Sequence, residues 1–175
     1  EGFDQTIPRD RFALSENPAV FADAGIVLVT VKSADTAGMA DIIARHAPPD
    51  VVVVSLQNGI GNAALLRDRL PGRPVLGGMV PFNVIALGNG RFHRATSGDI
   101  VIAQDEALPA EKLSVPGMTI RATDNIEGVQ WGKLVVNLNN ALNALADLPL
   151  RRQLSSRPWR QLFADQMVEG LAAIR

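Results

Sequence analysis

Two unbroken apolar blocks dominate the first third of the chain, GIVLVTVK at residues 25–32 and VVVVSL at residues 51–56. Both are rich in β-branched residues and lack polar alternation, which predicts strands buried on both faces of a parallel sheet. Between them, residues 34–46 carry Met39, Ile42 and Ile43 at helical spacing and stop at Pro48-Pro49. Residues 62–70 predict a short helix closed by Pro71-Gly72, and residues 75–80 a third apolar strand. The alternation β-α-β-α-β implies right-handed crossovers. Residues 1–25 are polar, contain Pro8 and Pro18, and have room only for short strands. Past residue 80 the pattern changes. Two short runs within residues 92–103 flank Ser97-Gly98 and predict a hairpin, and residues 118–122 predict another strand. From Thr123 the spacing is helical. Asp124 reads as an N-cap, with Glu127 three residues later in capping-box position, and this helix is expected to run to about Ala146, ahead of Pro149. A last helix starts near Arg157-Pro158, with proline at an early helical position. The fold class is therefore α/β, a partial Rossmann-like parallel sheet over residues 1–122 followed by the start of an all-helical domain over residues 123–175.

Composition narrows the function. Of 175 residues, 47% are hydrophobic and 20% charged, enough for a sizeable core. A formal net charge of −1 argues against a broad nucleic-acid or membrane footprint. There is no cysteine, so disulfides, thiolate metal sites and a cysteine nucleophile are excluded, which suits a reducing, cytoplasmic setting. His46 and His93 lie too far apart for metal spacing, and no metal is expected. No apolar run approaches the length of a membrane span. The chain opens at Glu1 in a loop-like segment and ends at Arg175 within a helical pattern that has neither cap nor breaker. Both ends read as cut, and the chain is expected to be a central piece of a longer protein.

Two places carry candidate chemistry. The first is the turn after the second strand, where residues 59–64 spell G-x-G-x-x-A, the form of a dinucleotide-binding turn. A first βα turn of that kind opens its sheet and is followed about 20 residues on by a carboxylate that holds the ribose. Here a strand and a helix already precede the glycines, and the next strand ends in Met79-Val80-Pro81. The better reading is a later βα turn with Asn58 facing the ligand crevice. A glycine turn required only by tight geometry stands beside it. Lys32 occupies the matching end of the preceding strand, where it is either a solvated charge or part of the same polar rim.

The second place is the helix GVQWGKLVVNLNNALNAL, residues 128–145. Lys133, Asn137 and Asn140 lie at i, i+4 and i+7 on one face, among leucines and valines that predict a largely buried helix. Asparagine is a poor mid-helix residue because its amide competes for backbone groups. Asn137, Asn139, Asn140 and Asn143 therefore serve either neighbouring backbone and a helix break, or a ligand-facing polar stripe. The lysine at the head of the stripe favours the second. A cation beside a ketone oxygen polarises the carbonyl and can protonate the alkoxide that hydride addition leaves, and asparagine amides can bind hydroxyl and carboxylate groups without charge.

VLVTVKS at 27–33, SLQNGIG at 55–61 and WGKLVVNLNNALNAL at 131–145, in this order and spacing, resemble the ketopantoate reductase (2-dehydropantoate 2-reductase) family, as does FHRATSGDIVIA at 92–103. The resemblance covers nearly the whole chain. It implies NADPH-dependent reduction of 2-dehydropantoate to pantoate on the route to pantothenate. It also implies a small 2-keto acid as substrate and a homodimer through the helical domain. By this resemblance Lys133 is the active-site lysine, Asn137 contacts substrate, Lys32 and Asn58 line the cofactor and substrate crevice, and Ala95 touches cofactor through its backbone. The family's second helix asparagine falls four residues after the first. That position is Ala141 here, with Asn140 one residue earlier, so either the helix is locally deformed or substrate contacts differ. The family's amino-terminal strand, glycine fingerprint and later helical segment are absent from these 175 residues, and the chain by itself is expected to be inactive. The K-x-x-x-N spacing of Lys133 and Asn137 also resembles β-hydroxyacid dehydrogenases of the 6-phosphogluconate type. A paralogue that binds ligand without turnover is the third reading.

Overall fold

A computed structural model of the chain describes residues 4–174. Glu1 and Arg175, on which the reading of cut ends rests, lie outside the described residues. The main sheet has five strands in the order β1-β2-β3-β6-β7. β1 (Ile26–Val29), β2 (Val52–Ser55) and β3 (Val75–Met79) run parallel, joined by α1 (Thr36–His46) and α2 (Asn62–Arg69). The register sets Val29 opposite Ser55 and Ser55 opposite Gly77, so the three strands end together on one rim. β2 is buried throughout, which is why four consecutive valines suit it. On one face of the sheet Val27, Val29, Val51, Val53 and Val75 pack with Ile43 of α1 and Leu66 and Leu70 beside α2. On the other, Val52, Val54 and Leu76 pack with Ile100, Ile102 and Ile120.

The second half of the sheet departs from expectation. β6 (Ile100–Ala103) runs antiparallel to β3, and β7 (Ile120–Thr123) parallel to β6, so the sheet is mixed. The hairpin is not centred on Ser97-Gly98. It pairs β4 (Val84–Gly88) with β5 (Arg91–Arg94) as a separate two-stranded ribbon. Its turn is Asn89-Gly90, with φ of 51° and 72°, the left-handed pair that a tight hairpin requires. Gly98 instead lets the chain cross Pro81: a Cβ there would sit 2.7 Å from the proline Cγ. Among residues 4–25 there are two 3-10 turns and no strand.

After β7 come four helices, α3 (Ile126–Asn137), α4 (Asn139–Ala146), α5 (Leu150–Ser155) and α6 (Arg157–Ile174). The cap of α3 is Asn125, not Asp124: its side chain accepts from the Gly128 N–H at 3.0 Å. Gly128 makes this closure possible, because a Cβ there would lie 2.6 Å from the Asn125 amide nitrogen. The long helix is interrupted at Leu138, whose N–H is shared between the carbonyls of Leu134 at 3.1 Å and Val135 at 3.3 Å. This is the local tightening expected of a 3-10 turn. The burial expected of this segment is also smaller than its composition suggests: Val135, Asn139 and Leu142 are buried, whereas Val136 and Leu145 are exposed. No described helix is long and apolar enough to cross a membrane.

Candidate active site

α3 reaches the sheet through a pair of glycines in β3. By strand alternation Gly77 shares a face with Val75, and a Cβ on it would meet Gln130 Nε2 at 3.3 Å and the Ile126 side chain at 3.6 Å. A Cβ on Gly78, pointing the other way, would meet Leu56 Cδ2 at 2.7 Å and the Ser55 carbonyl at 3.1 Å. The bare strand lets the helix dock closely, and two side chains of α3 fix it. Gln130 Nε2 donates to the Gly78 carbonyl at 3.0 Å, and Lys133 Nζ donates to the Pro81 carbonyl at 3.4 Å. The lysine is thereby held just beyond the carboxyl end of β3. Among the described residues no carboxylate lies within ion-pairing distance of it.

A small cleft opens at this point. It is lined by Gln57, Asn58 and Gly59 from the loop after β2, Gly78 and Met79 from β3, and Gln130 and Lys133 from α3. The structure thus brings Asn58 and Lys133 to one cleft. The glycines are explained by backbone shape. Gly59 has φ of 90° and Gly61 of 83°, a conformation that disfavours any other residue.

The other expected residues are placed less centrally. Lys32 is exposed on the same rim, immediately before the turn into α1, but does not line the cleft. Asn137 is half-buried one turn beyond Lys133, and Asn140 is exposed past the interruption at Leu138. Neither lines the cleft, and neither side chain makes a hydrogen bond among the described residues. Ala95 is exposed at the end of the ribbon, and its N–H is donated to the Asn83 carbonyl at 2.8 Å, so a backbone contact from this residue falls to its carbonyl.

The four helix asparagines divide. Asn139 Oδ1 accepts from Gln153 Nε2 at 3.1 Å, and Asn143 Nδ2 donates to Gln153 Oε1 and to the Leu148 carbonyl, each at 2.9 Å. These two are structural and clamp α5 to α4. Only Asn137 and Asn140 remain available to a ligand. Sequence reasoning missed Gln130 and Gln57 at the cleft. Gln130 stands one turn before Lys133, a spacing that could have flagged it.

A crossover-linked parallel sheet with a polar cleft at the carboxyl ends of its strands defines an α/β domain of the Rossmann-like class, whose ligands bind at that edge. Residues 1–106 match the family model described as ketopantoate reductase PanE/ApbA, and the chain belongs to that family. A 2-dehydropantoate 2-reductase of Halobacterium salinarum is 32% identical over 176 aligned positions, covering 96% of this chain and 58% of the relative. Among solved structures, a PanE/ApbA family ketopantoate reductase from Ralstonia eutropha superimposes with a TM-score of 0.83 at 30% identity, over 97% of this chain and 57% of that one. A 2-dehydropantoate 2-reductase from Geobacter metallireducens gives a TM-score of 0.75 at 27% identity, over 89% of this chain and 54% of that one. The chain thus spans somewhat more than half the length of these relatives.

Proposed function

We propose that this chain forms part of an NADPH-dependent reductase that converts 2-dehydropantoate to pantoate. The observation that carries the proposal is the meeting of Lys133 with Asn58 in one cleft at the carboxyl edge of the parallel strands. Its donor set suits a nicotinamide cofactor and a keto acid. Asn58, Gln130 and Lys133 line the cleft with Gln57, whose amide hydrogens are already committed to Val31 and Thr36, and the exposed Lys32 on the same rim offers a cation to a phosphate. Lys32, Asn58 and Ala95 are the residues assigned to cofactor, and NADPH when bound supplies the hydride. The chain's own residues do the rest. Lys133 polarises the ketone oxygen, stabilises negative charge as it develops there, and delivers the proton that completes the hydroxyl. Among the described residues its Nζ is tethered to one backbone carbonyl alone, which leaves it able to turn to a substrate oxygen. Asn137, one turn further along α3, orients the substrate, and Asn140 is the weaker candidate beyond it.

The family relationship supports this reading over a 6-phosphogluconate-type dehydrogenase. An assay of the complete polypeptide with NADPH and 2-dehydropantoate, run beside 3-hydroxy acids with NADP, tests it. Turnover of 2-dehydropantoate with at least a hundredfold preference in kcat/KM is expected. Preference for the 3-hydroxy acids, or nucleotide binding without turnover of any of them, would overturn it. A homodimer through α3–α6 and a cytoplasmic location belong to the same proposal.

A further inference from the structure

Behind the cleft lies a chain of buried polar side chains. Ser55 and Thr36 are almost wholly enclosed, and Gln57 and Asn62 nearly so. Ser55 Oγ donates to Gln57 Oε1 at 3.0 Å. Gln57 Nε2 uses both of its hydrogens, one to the Val31 carbonyl at 3.0 Å and one to Thr36 Oγ1 at 2.8 Å. Thr36 Oγ1 in turn donates to Asn62 Oδ1 at 3.2 Å, and Asn62 Nδ2 donates to the Asn58 carbonyl at 3.1 Å. The direction of every bond is fixed, since the Thr36 hydroxyl must accept from one amide and donate to the next. The relay connects the end of β1, the first turn of α1, the start of α2 and the loop after β2.

Stability alone does not call for such an arrangement. Burying polar groups costs desolvation that their mutual bonds only offset, and an apolar set of the same shape would serve the core as well. The relay ends on the backbone of Asn58, one of the residues that line the cleft. The Asn58 carbonyl accepts from Asn62, and from Ser33 Oγ at 3.4 Å, while the turn that follows it rests on two glycines in the left-handed region. Such a turn has little of its own to hold it.

We infer that Gln57, Thr36 and Asn62 are positioning residues that hold the Asn58 amide toward Lys133. They act through the backbone of residues 58–61 and do not touch substrate, with the exception of the cleft-lining edge of Gln57. The kinetic consequence rests on the proposed reductase function; the conformational one does not. The test uses Thr36→Val, which keeps the shape and removes the hydroxyl, against Thr36→Ser, which restores it. Asn62→Ala interrupts the relay at its far end and carries the test if Thr36→Val does not fold. Backbone order parameters of Asn58–Gly61 from 15N relaxation should fall below about 0.6 in Thr36→Val and Asn62→Ala and return toward the parent in Thr36→Ser. KM for 2-dehydropantoate should rise about tenfold in the first two, with kcat within threefold of the parent. Unchanged order parameters at Asn58–Gly61 in the folded variants, with only a lower Tm, would overturn the inference. If the parent turns over no 2-dehydropantoate, the proposed function fails, and the order-parameter comparison still decides the relay.

Discussion

Every residue of β2 is buried, whereas α6, with eighteen residues, buries none. The two halves of the chain are built on different physics. In the sheet, apolar residues are covered by α1 and α2 on one face and, on the other, by Leu108, Ala110 and Leu113 of the connection between β6 and β7. In the helical half, Val136, Leu145, Leu150, Val168 and Leu171 remain exposed. That half is held mainly by specific devices: the Asn125 cap, the glycine-lined docking of α3, the Gln153 clamp and the approach of Gly170 to Leu138, where an added Cβ would lie 3.0 Å from Cδ1. The difference matters for the site, because Asn58 comes from the tightly packed half and Lys133 from the other. The cleft is only as well formed as the polar seam that joins them.

The comparison is sharpest in paired truncations. Leu76 is 1% exposed and Leu145 is 80% exposed. Leu76→Ala should cost about 2–5 kcal/mol, the range for removing a fully buried leucine from a core that cannot close over the gap. Leu145→Ala should stay within about 0.5 kcal/mol, as exposed substitutions do. Chemical denaturation of the two variants beside the parent measures both. A large loss from Leu145→Ala would mean that a second surface covers this helix in solution, and the contrast between the halves would collapse.

The next effect crosses the seam. Lys133→Ala should lower kcat by about 10²-fold or more, as loss of a general acid does. Nucleotide affinity should change little, since the strand rim is untouched. Steady-state kinetics with a fluorescence titration of NADPH separates the two, and a kcat near that of the parent would remove Lys133 from the chemistry.

A third experiment stays inside the helical half. Asn139→Ala leaves the buried Gln153 amide without its acceptor and should cost about 1–3 kcal/mol. Asn140→Ala, at an exposed side chain without hydrogen bonds among the described residues, should leave stability within about 0.5 kcal/mol. Thermal melts of the pair test whether the asparagines divide as the structure divides them. Equal losses would return Asn140 to a structural role.

That division also shows what sequence could and could not reveal. β1, β2, β3, α1, α2 and the start of α6 were legible, because valine runs, helical spacing and Pro-Gly stops act within a few residues. The meeting of Lys133 with Asn58 was not: the rule that parallel strands carry ligands at their carboxyl ends placed Asn58 on a rim with Lys32, and Lys133 stood apart on its helix. The hairpin was misplaced although Asn89-Gly90 marks it locally; the apolar runs beside Ser97-Gly98 belong partly to β6, which pairs with β3 instead. The cap moved from Asp124 to Asn125 because Gly128 has no Cβ, a steric fact that residue preference does not encode. The sorting of Asn139 from Asn140 required Gln153 on another helix. The relay behind Asn58 required the end of β1, the first turn of α1, the start of α2 and the loop after β2 to converge. Neither could be read from spacing along the chain.

The smallest effect bears on Asn58 itself. Its carbonyl is anchored by Asn62 and Ser33, but its side chain is exposed and makes no hydrogen bond among the described residues. Removing the amide should therefore cost little stability, in contrast to the buried asparagine of the helical half. Asn58 lines the cleft with Lys133, so loss of its amide should be felt by the ligand. A single hydrogen bond to a bound group is worth about 1.4 kcal/mol when charge-assisted or well enclosed, which is about a tenfold rise in KM. Asn58→Ala should thus raise KM for 2-dehydropantoate or NADPH about tenfold and keep the melting temperature of the parent. Which of the two KM values moves tells whether the amide meets the acid or the nicotinamide side of the crevice. If both hold while the melting temperature falls, Asn58 belongs to the packing of the rim, and the cleft must find its substrate contacts on α3 alone.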